Sequence, residues 1–285
     1  MGPTSHDMVA RIRRLLPRKL KVGHTGTLDP FAGGVLVLAL GKATRFADEV
    51  HRMEKAYRAT IRLGAETTTL DPTGEITETA PVPALGERDL ETVAASFVGR
   101  QAQIPPIFSA KKVAGKRGYQ LAREGRAVTL APKDIQIFEL RLTRLDELHL
   151  DCRVVCSTGT YIRALGRDLA QALGTRGHLT RLVRTRVGPL TEAQCFCPAQ
   201  GDLAALSAKL LPVPALLTQW PQIILPKIAE ADLLQGRPFL WRQALPTRFL
   251  GAFENPDGAL SSVFRCEYDG DGLIRPRQLC FRSET

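Results

Sequence analysis

The chain has 285 residues, 44% hydrophobic and 24% charged, with Lys+Arg 39 against Asp+Glu 29 for a formal net charge of +10. Those proportions exclude a disordered or collagen-like chain and supply enough apolar side chains for a core without disulfide staples. No apolar run approaches the ~18 residues of a membrane-spanning helix, and Met1-Gly-Pro-Thr-Ser-His-Asp7 holds no apolar signal segment, so the expectation is a cytoplasmic protein with reduced cysteines and no membrane partner.

In chain order, residues 4–18 read as a helix, opened by the capping-box form Thr4-Ser-His-Asp7 and stopped by Pro17. A Gly-rich loop runs from Gly23 to Gly34, and Val35 to Leu40 reads as a buried strand. Tyr57, Ala59, Ile61 and Leu63 alternate as a second strand ending at Gly64. Residues 66–83 form a polar strand-and-turn excursion around Asp71-Pro-Thr-Gly74, and Arg88 to Val98 a helix. Residues 101–127 are rich in Pro and Lys and turn helical near Tyr119 to Glu124. Two adjacent strands are expected over 134–145 and 148–156, then a helix from Thr160 to Leu173 and a basic segment from Arg176 to Val187. A short helix at 202–210 meets the prolines 212 and 214, and 223–285 reads as a small β domain with turns at Asn255-Pro-Asp-Gly258 and Asp269-Gly-Asp-Gly272. Cys152 and Cys156, evenly spaced in one strand, are expected to be small core hydrophobes, and Cys195-Phe-Cys197 lacks the second ligand pair that zinc needs.

The charge is uneven. Residues 1–70 carry 12 basic and 6 acidic groups, residues 100–190 carry 17 and 7, and residues 191–285 carry 9 and 10. Arginines number 29 and lysines 10, and a guanidinium fork matches phosphate oxygens, so the basic blocks point to a polyanion such as nucleic acid.

Four stretches could carry chemistry. In Gly23-His-Thr-Gly-Thr-Leu-Asp29-Pro30, the proline holds Asp29 in extended geometry, as a nucleophile, a base, a metal ligand or simply the anchor of a tight turn. No Walker glycine precedes Gly41-Lys42, so a phosphate loop is disfavoured. In Ser157-Thr-Gly-Thr-Tyr161-Ile-Arg163, Thr160 is read as the N-cap, which puts Arg163 in the first turn. A cation there opposes the helix dipole and either finds an anionic partner or stays solvated. Lys111, Lys112, Tyr119 and Arg123 interleave cations with an aromatic, as single-stranded nucleic acid or a solvated surface would have them. Tyr57, in Lys55-Ala-Tyr-Arg58, is a core aromatic unless it faces Asp29.

Together these stretches resemble the TruB family of tRNA pseudouridine synthases. The segments at 4–7, 23–30, 55–58, 103–112 and 157–163, with Gly64 and Thr67-Thr-Thr-Leu-Asp71, stand in that family's order, and the resemblance covers roughly residues 2–190. It implies an α+β fold: a mixed, mainly antiparallel sheet flanked by helices, over residues 1–211, with an RNA-gripping insertion over about 66–133. It also implies a small PUA-like β domain over 223–285. The implied activity is isomerisation of uridine 55 to pseudouridine in the T-loop of tRNA, with base flipping and with neither metal nor organic cofactor. The implied partner is the tRNA T stem-loop, and nothing demands more than a monomer.

Carried over residue by residue, Asp29 is the essential carboxylate and Arg163 its salt-bridge partner. Tyr57 stacks on the target base, and Tyr161 and Leu182 line its pocket. His24 fills the space of the flipped nucleotide, and Lys111, Lys112, Arg123, Arg181 and Arg184 contact RNA. The family's apolar strand and Lys-Pro pair before Gly-Pro-Thr-Ser have no counterpart ahead of Met1, so an upstream start is expected to add stability and activity. An alternative is an RNA-folding chaperone that needs no catalysis. Asp29 argues against it, because a pure binder gains nothing from a carboxylate near phosphates.

Overall fold

Thr4 and Asp7 do start the first helix. In the computed structural model the Asp7 amide donates to Thr4 Oγ1 at 3.1 Å, and the Thr4 amide returns a bond to Asp7 Oδ2 at 2.8 Å. The structure describes residues 2–108, 131–198 and 201–282, and the backbone alone of Lys112–Val113 and Lys116–Arg117. The expected helix around Tyr119 lies outside the described residues, as do Lys111, Arg123 and the Lys112 side chain.

Contact clustering divides the chain into two units, Met1–Leu40 with Ala47–Gln200, and Gly41–Phe46 with Gly201–Thr285. The elements of the first unit are α1 (Ser5–Leu15), β1 (Val22–His24), β2 (Gly33–Gly34), β3 (Leu38–Leu40), α2 (Ala47–Arg52), β4 (Lys55–Leu63), β5 (Ala65–Thr67), β6 (Ile76–Thr79), α3 (Glu87–Ser96), β7 (Gly99–Gln103), β8 (Lys112–Val113), β9 (Lys116–Arg117), β10 (Lys133–Arg144), β11 (His149–Cys156), α4 (Ile162–Ala172), β12 (Gly177–Val187) and β13 (Leu190–Thr191). Its main sheet runs β13-β12-β4-β11-β10-β7, all antiparallel, and β2 joins β12 in parallel.

Period-2 alternation decides which face of this sheet is dry. Ala59, Ile61 and Leu63 of β4, Cys152 and Val154 of β11 and Leu179 and Leu182 of β12 point to one face, where Leu165 and Leu169 of α4 and Leu90 of α3 cover them. Each such buried branched side chain contributes about 1.5–3 kcal/mol. Cys152 and Cys156 are buried here as expected, and burial pushes their thiols up to about 12 and about 11. Gly166 lets α4 approach closely, since a Cβ there would lie 2.7 Å from Leu179 Cδ2.

Several local expectations change. The strand read over Val35–Leu40 shortens to β3, because the Val35 amide turns aside to the Arg184 carbonyl at 2.8 Å. The helix read from Thr160 starts at Ile162: Tyr161 occupies the cap position, and the Thr160 hydroxyl donates instead to the Ser157 carbonyl at 3.0 Å. The basic segment from Arg176 is the 11-residue strand β12, and Gly99–Gln103, to which the sequence assigned no element, is the edge strand β7.

The second unit contains α5 (Leu203–Ser207), β14 (Gln222–Ile224), α6 (Ile228–Leu234), β15 (Phe239–Leu240), β16 (Arg248–Glu254), β17 (Leu260–Tyr268) and β18 (Leu273–Arg282). Its five-stranded sheet runs β14-β16-β17-β18-β15, and the two expected turns close the β16–β17 and β17–β18 hairpins. Phe249, Phe253, Phe264, Ala229 and Leu233 form its core, with Phe253 edge-on to Phe264. A small β domain of PUA-like kind fits this sheet. The helix α6 within it was not legible as a helix. Among the described residues, no helix is long and apolar enough to cross a membrane.

Candidate active site

The loop between β1 and β2 carries Asp29, and a set of hydrogen bonds fixes the backbone from Gly26 to Val35. Leu28 donates to the Ser5 hydroxyl at 2.9 Å, and that hydroxyl donates back to the Leu28 carbonyl at 3.3 Å. Gly2 donates to the Pro30 carbonyl at 3.1 Å, and Ala32 to the carbonyl of Asp29 itself at 2.9 Å. From β12, the buried Arg184 guanidinium donates to the carbonyls of Val35 at 2.7 Å, Gly26 at 3.2 Å and Thr27 at 3.5 Å. Gly34, at φ +94, passes so close to the Arg184 backbone that a Cβ would lie 2.3 Å from its carbonyl oxygen.

Arg163 reaches Asp29 from the first turn of α4. Its Nε donates to Asp29 Oδ2 at 2.9 Å and its Nη2 to Oδ1 at 3.1 Å, a bidentate pair. The same guanidinium donates to the carbonyls of Thr69 at 2.8 Å and Phe108 at 3.0 Å. A second carboxylate, Asp71, stands 3.5 Å from Nη1. Asp71 is buried, and its Oδ1 accepts from Thr69 Oγ1 at 2.6 Å, the Thr73 amide at 2.9 Å and Thr73 Oγ1 at 2.6 Å. The turn that presents it holds Leu70 at φ +59, a left-handed geometry that costs a branched residue about 1–2 kcal/mol. Of the two carboxylates, Asp71 is enclosed at 7% side-chain exposure and Asp29 is open at 35%. Only Asp29 can touch an incoming molecule.

The misplaced cation of the sequence therefore has its anion, in fact two. Sequence reading missed Asp71 as a partner, although Thr67-Thr-Thr-Leu-Asp71 carried the signal. It also missed Gln103. This buried amide clasps the backbone of Tyr161, accepting from its N–H at 2.8 Å and donating to its carbonyl at 3.1 Å. The clasp replaces the side-chain cap that α4 lacks.

The sheet supplies the floor. Register places Arg184 opposite Tyr57 and Leu182 opposite Ala59, on the same face, so Leu182 and Tyr57 adjoin. Tyr57 is half-buried against the core. Burial pushes its phenol up; the Arg184 cation pulls the other way, and the Asp29 charge adds to the rise. Lys55, two residues earlier on that face, is buried with Nζ donating to the carbonyls of His51 and Met53. Burial, then the Arg184 charge, brings its amine down to about 8. His24 ends β1 half-buried; burial first, then the nearby His6 ring and the Arg184 charge, lower its pKa, and among the described residues its buried Nδ1 has no hydrogen-bond partner. Tyr161 is half-buried at the head of α4, and Arg181 is exposed on the opposite face of the sheet from Leu182. One expected RNA contact changes role: Arg184 is 3% exposed with its donors on loop carbonyls, so it clamps the Asp29 loop and does not reach a phosphate.

The chain is similar to known proteins in fold and in sequence. Solved structures of a Cbf5-Nop10-Gar1 complex and of an H/ACA RNP bound to a substrate RNA containing 2'-deoxyuridine contain chains of the same fold. They superpose with TM-scores of 0.68 and 0.68 at 22% and 20% identity, over 99% of this chain and 82% and 83% of those chains. The tRNA pseudouridine synthase B of Parabacteroides distasonis is 47% identical over 204 residues, 70% of this chain and 87% of that one. The enzyme of the same name from Halalkalibacterium halodurans is 37% identical over 98% of this chain and 94% of its own length. The family model for the TruB family pseudouridylate synthase N-terminal domain matches residues 13–162, the stretch that holds Asp29, Tyr57, Asp71 and Gln103. An aspartate held by a first-turn arginine beside a strand tyrosine, in a sequence this similar from end to end, places the chain in the TruB family of pseudouridylate synthases.

Proposed function

We propose that this chain isomerises uridine 55 to pseudouridine in the T-loop of tRNA. The observation that carries the reading is the half-exposed Asp29 carboxylate, held bidentate by the buried Arg163 beside Tyr57. The reaction breaks the N1–C1′ bond, turns the uracil and joins C5 to C1′. The C5 proton leaves and N1 gains one, so the change is redox-neutral.

A uridine stacked in its loop is out of reach until it is extruded, at a cost of a few kcal/mol. Backbone contacts and a group that takes the vacated space offset that cost. His24, held neutral by burial, suits the second role, because a neutral imidazole stacks where an imidazolium would have to be desolvated. Tyr57 gives the extruded base an apolar seat, the buried Leu182 backs it, and Tyr161 borders it. Asp29 attacks the seated nucleoside. Burial keeps Tyr57 a phenol, fit to stack and to donate a hydrogen bond. Arg163 acts through Asp29: two N–H donors fix both oxygens, so the carboxylate meets the nucleoside in one orientation. All these groups come from one chain, which supports a monomer as the active unit.

The test is to incubate an unmodified tRNA transcript with the enzyme and map pseudouridine by carbodiimide adducts and primer extension. A new stop at position 55 supports the reading. Tight tRNA binding with no stop there would contradict it and favour a folding chaperone.

A further inference from the structure

The sheet that carries Tyr57 on one face presents arginines on the other. Alternation along β4 turns Tyr57, Ala59 and Ile61 toward the core and Arg58, Thr60 and Arg62 away from it. Register extends the pattern sideways. Arg141 of β10 stands opposite Arg153 of β11, which stands opposite Arg58 of β4, so three arginines form one row across three neighbouring strands. The next row holds Thr143, Asp151, Thr60 and Arg181, and Arg62 follows beside His149. All five arginines are exposed.

Like charges directly opposite one another destabilise a sheet. Here a single buried acid relieves the row: Asp151 accepts from Arg58 at 2.6 Å and from Arg153 at 3.1 Å. Even so, those two side chains stay 54% and 63% exposed. Among the described residues, Arg62, Arg141 and Arg181 pair with no carboxylate. The fold thus holds a like-charge cluster on an exposed face, a setting that attracts an anion from outside.

We propose that this outward arginine face is a second RNA-backbone surface, separate from the Asp29 pocket. Guanidinium forks match phosphate oxygens two at a time. Strands about 4.8 Å apart, with same-face residues about 6.6 Å apart along each, spread the five forks over an area that a phosphodiester backbone can cross. The hydroxyls of Thr60 and Thr143 stand among them, and neither row contains an aromatic anchor of the kind that dominates protein–protein contacts. Because the pocket and this face point in opposite directions, its occupant is a second stretch of RNA and not the loop seated at Asp29. The choice of RNA rests on the reading of the chain as a tRNA-modifying enzyme; the position of the face does not.

The experiment uses the full chain saturated with unlabelled T stem-loop, to which a labelled short RNA duplex lacking a T-loop is added and followed by fluorescence anisotropy. The expected result is that the duplex still binds. In Arg62→Gln/Arg141→Gln its affinity falls about fivefold or more, and the slope of log K against log salt drops by about 1.5, as for two lost phosphate contacts. Isomerisation of the stem-loop by this variant stays at the wild-type rate. Complete displacement of the duplex by stem-loop, or a variant that binds duplex like wild type, would overturn the proposal. If wild type binds duplex in this way but isomerises nothing, the functional reading fails and this surface stands.

Discussion

Arg163 donates to both Asp29 oxygens and to the carbonyls of Thr69 and Phe108, and Asp71 faces it by charge at 3.5 Å. Two carboxylates on one guanidinium divide the work: the enclosed one fixes the arginine and the open one meets the substrate. Asp71→Asn removes a charge that touches no substrate. It is expected to slow single-turnover isomerisation by about tenfold or more, as for a buried arginine that loses one of its two counter-charges, with little change in RNA affinity. An unchanged rate would remove Asp71 from the positioning network. Arg184 shows why charge counting misleads at this scale, because a sum treats a buried loop clamp and a surface cation alike. Arg184→Gln is expected to destabilise the fold by about 2–4 kcal/mol in chemical denaturation and to leave the salt slope of RNA binding as it is; a smaller slope with intact stability would restore Arg184 to the RNA surface. Lys55 gives a pH test. Its folded pKa of about 8 lies below the ordinary 10.5, so between those values the unfolded chain holds more protons and stability gains as pH rises. The melting temperature of wild type minus that of Lys55→Met should therefore grow from pH 8 to pH 10. A flat difference would show that the amine is not held down.

At the scale of elements, the strands legible in the sequence are those whose alternation is unbroken. β4 and β11 keep strict period 2, and their cross-strand partners follow without a shift. β12 hides because its register slips twice, between Leu179 and Arg181 and between Arg184 and Arg186. Each slip moves the next side chain to the other face, so arginines fall on both. β7 hides for a different reason: Gly-Arg-Gln-Ala-Gln on a sheet edge buries almost nothing apolar. The start of α4 was misplaced by one residue because the cap comes from Gln103, 58 positions away, and no local pattern shows it. Gln103→Leu leaves the Tyr161 N–H unpaired and its carbonyl with only the Leu165 amide, at the head of the helix that aims Arg163. It should lower kcat by about tenfold or more while KM changes little, and Gln103→Asn should recover none of it, because the shorter amide cannot span both groups. A pure fall in melting temperature with normal kcat would reduce Gln103 to a structural role.

Across the whole molecule, charge and chemistry coincide. The two basic blocks, 1–70 and 100–190, supply the Asp29 loop, the tyrosine strand, the Arg163 helix and the outward arginine face. The acidic stretch between them contributes Asp71, which turns one of those acids inward. The second unit, near neutral over Gly201–Thr285, adds a separate core of phenylalanines and none of the pocket residues. The ordered motifs made two pairings legible from sequence: Arg163 bridges Asp29, and Tyr57 and Leu182 share one face of the sheet. Long-range connections were not legible. That Ser5 pins Leu28, that Arg184 faces inward and that one arginine serves two acids are facts of three-dimensional closure between segments up to 158 residues apart.

The central claim is that Asp29, oriented by Arg163, performs the chemistry. Its most direct test is tritium release from C5-labelled uridine in a T stem-loop, at RNA-saturating enzyme, for wild type and Asp29→Asn. The account predicts release by wild type, none above background by the variant, and comparable RNA affinity for both. Release by Asp29→Asn at a rate near that of wild type would contradict it.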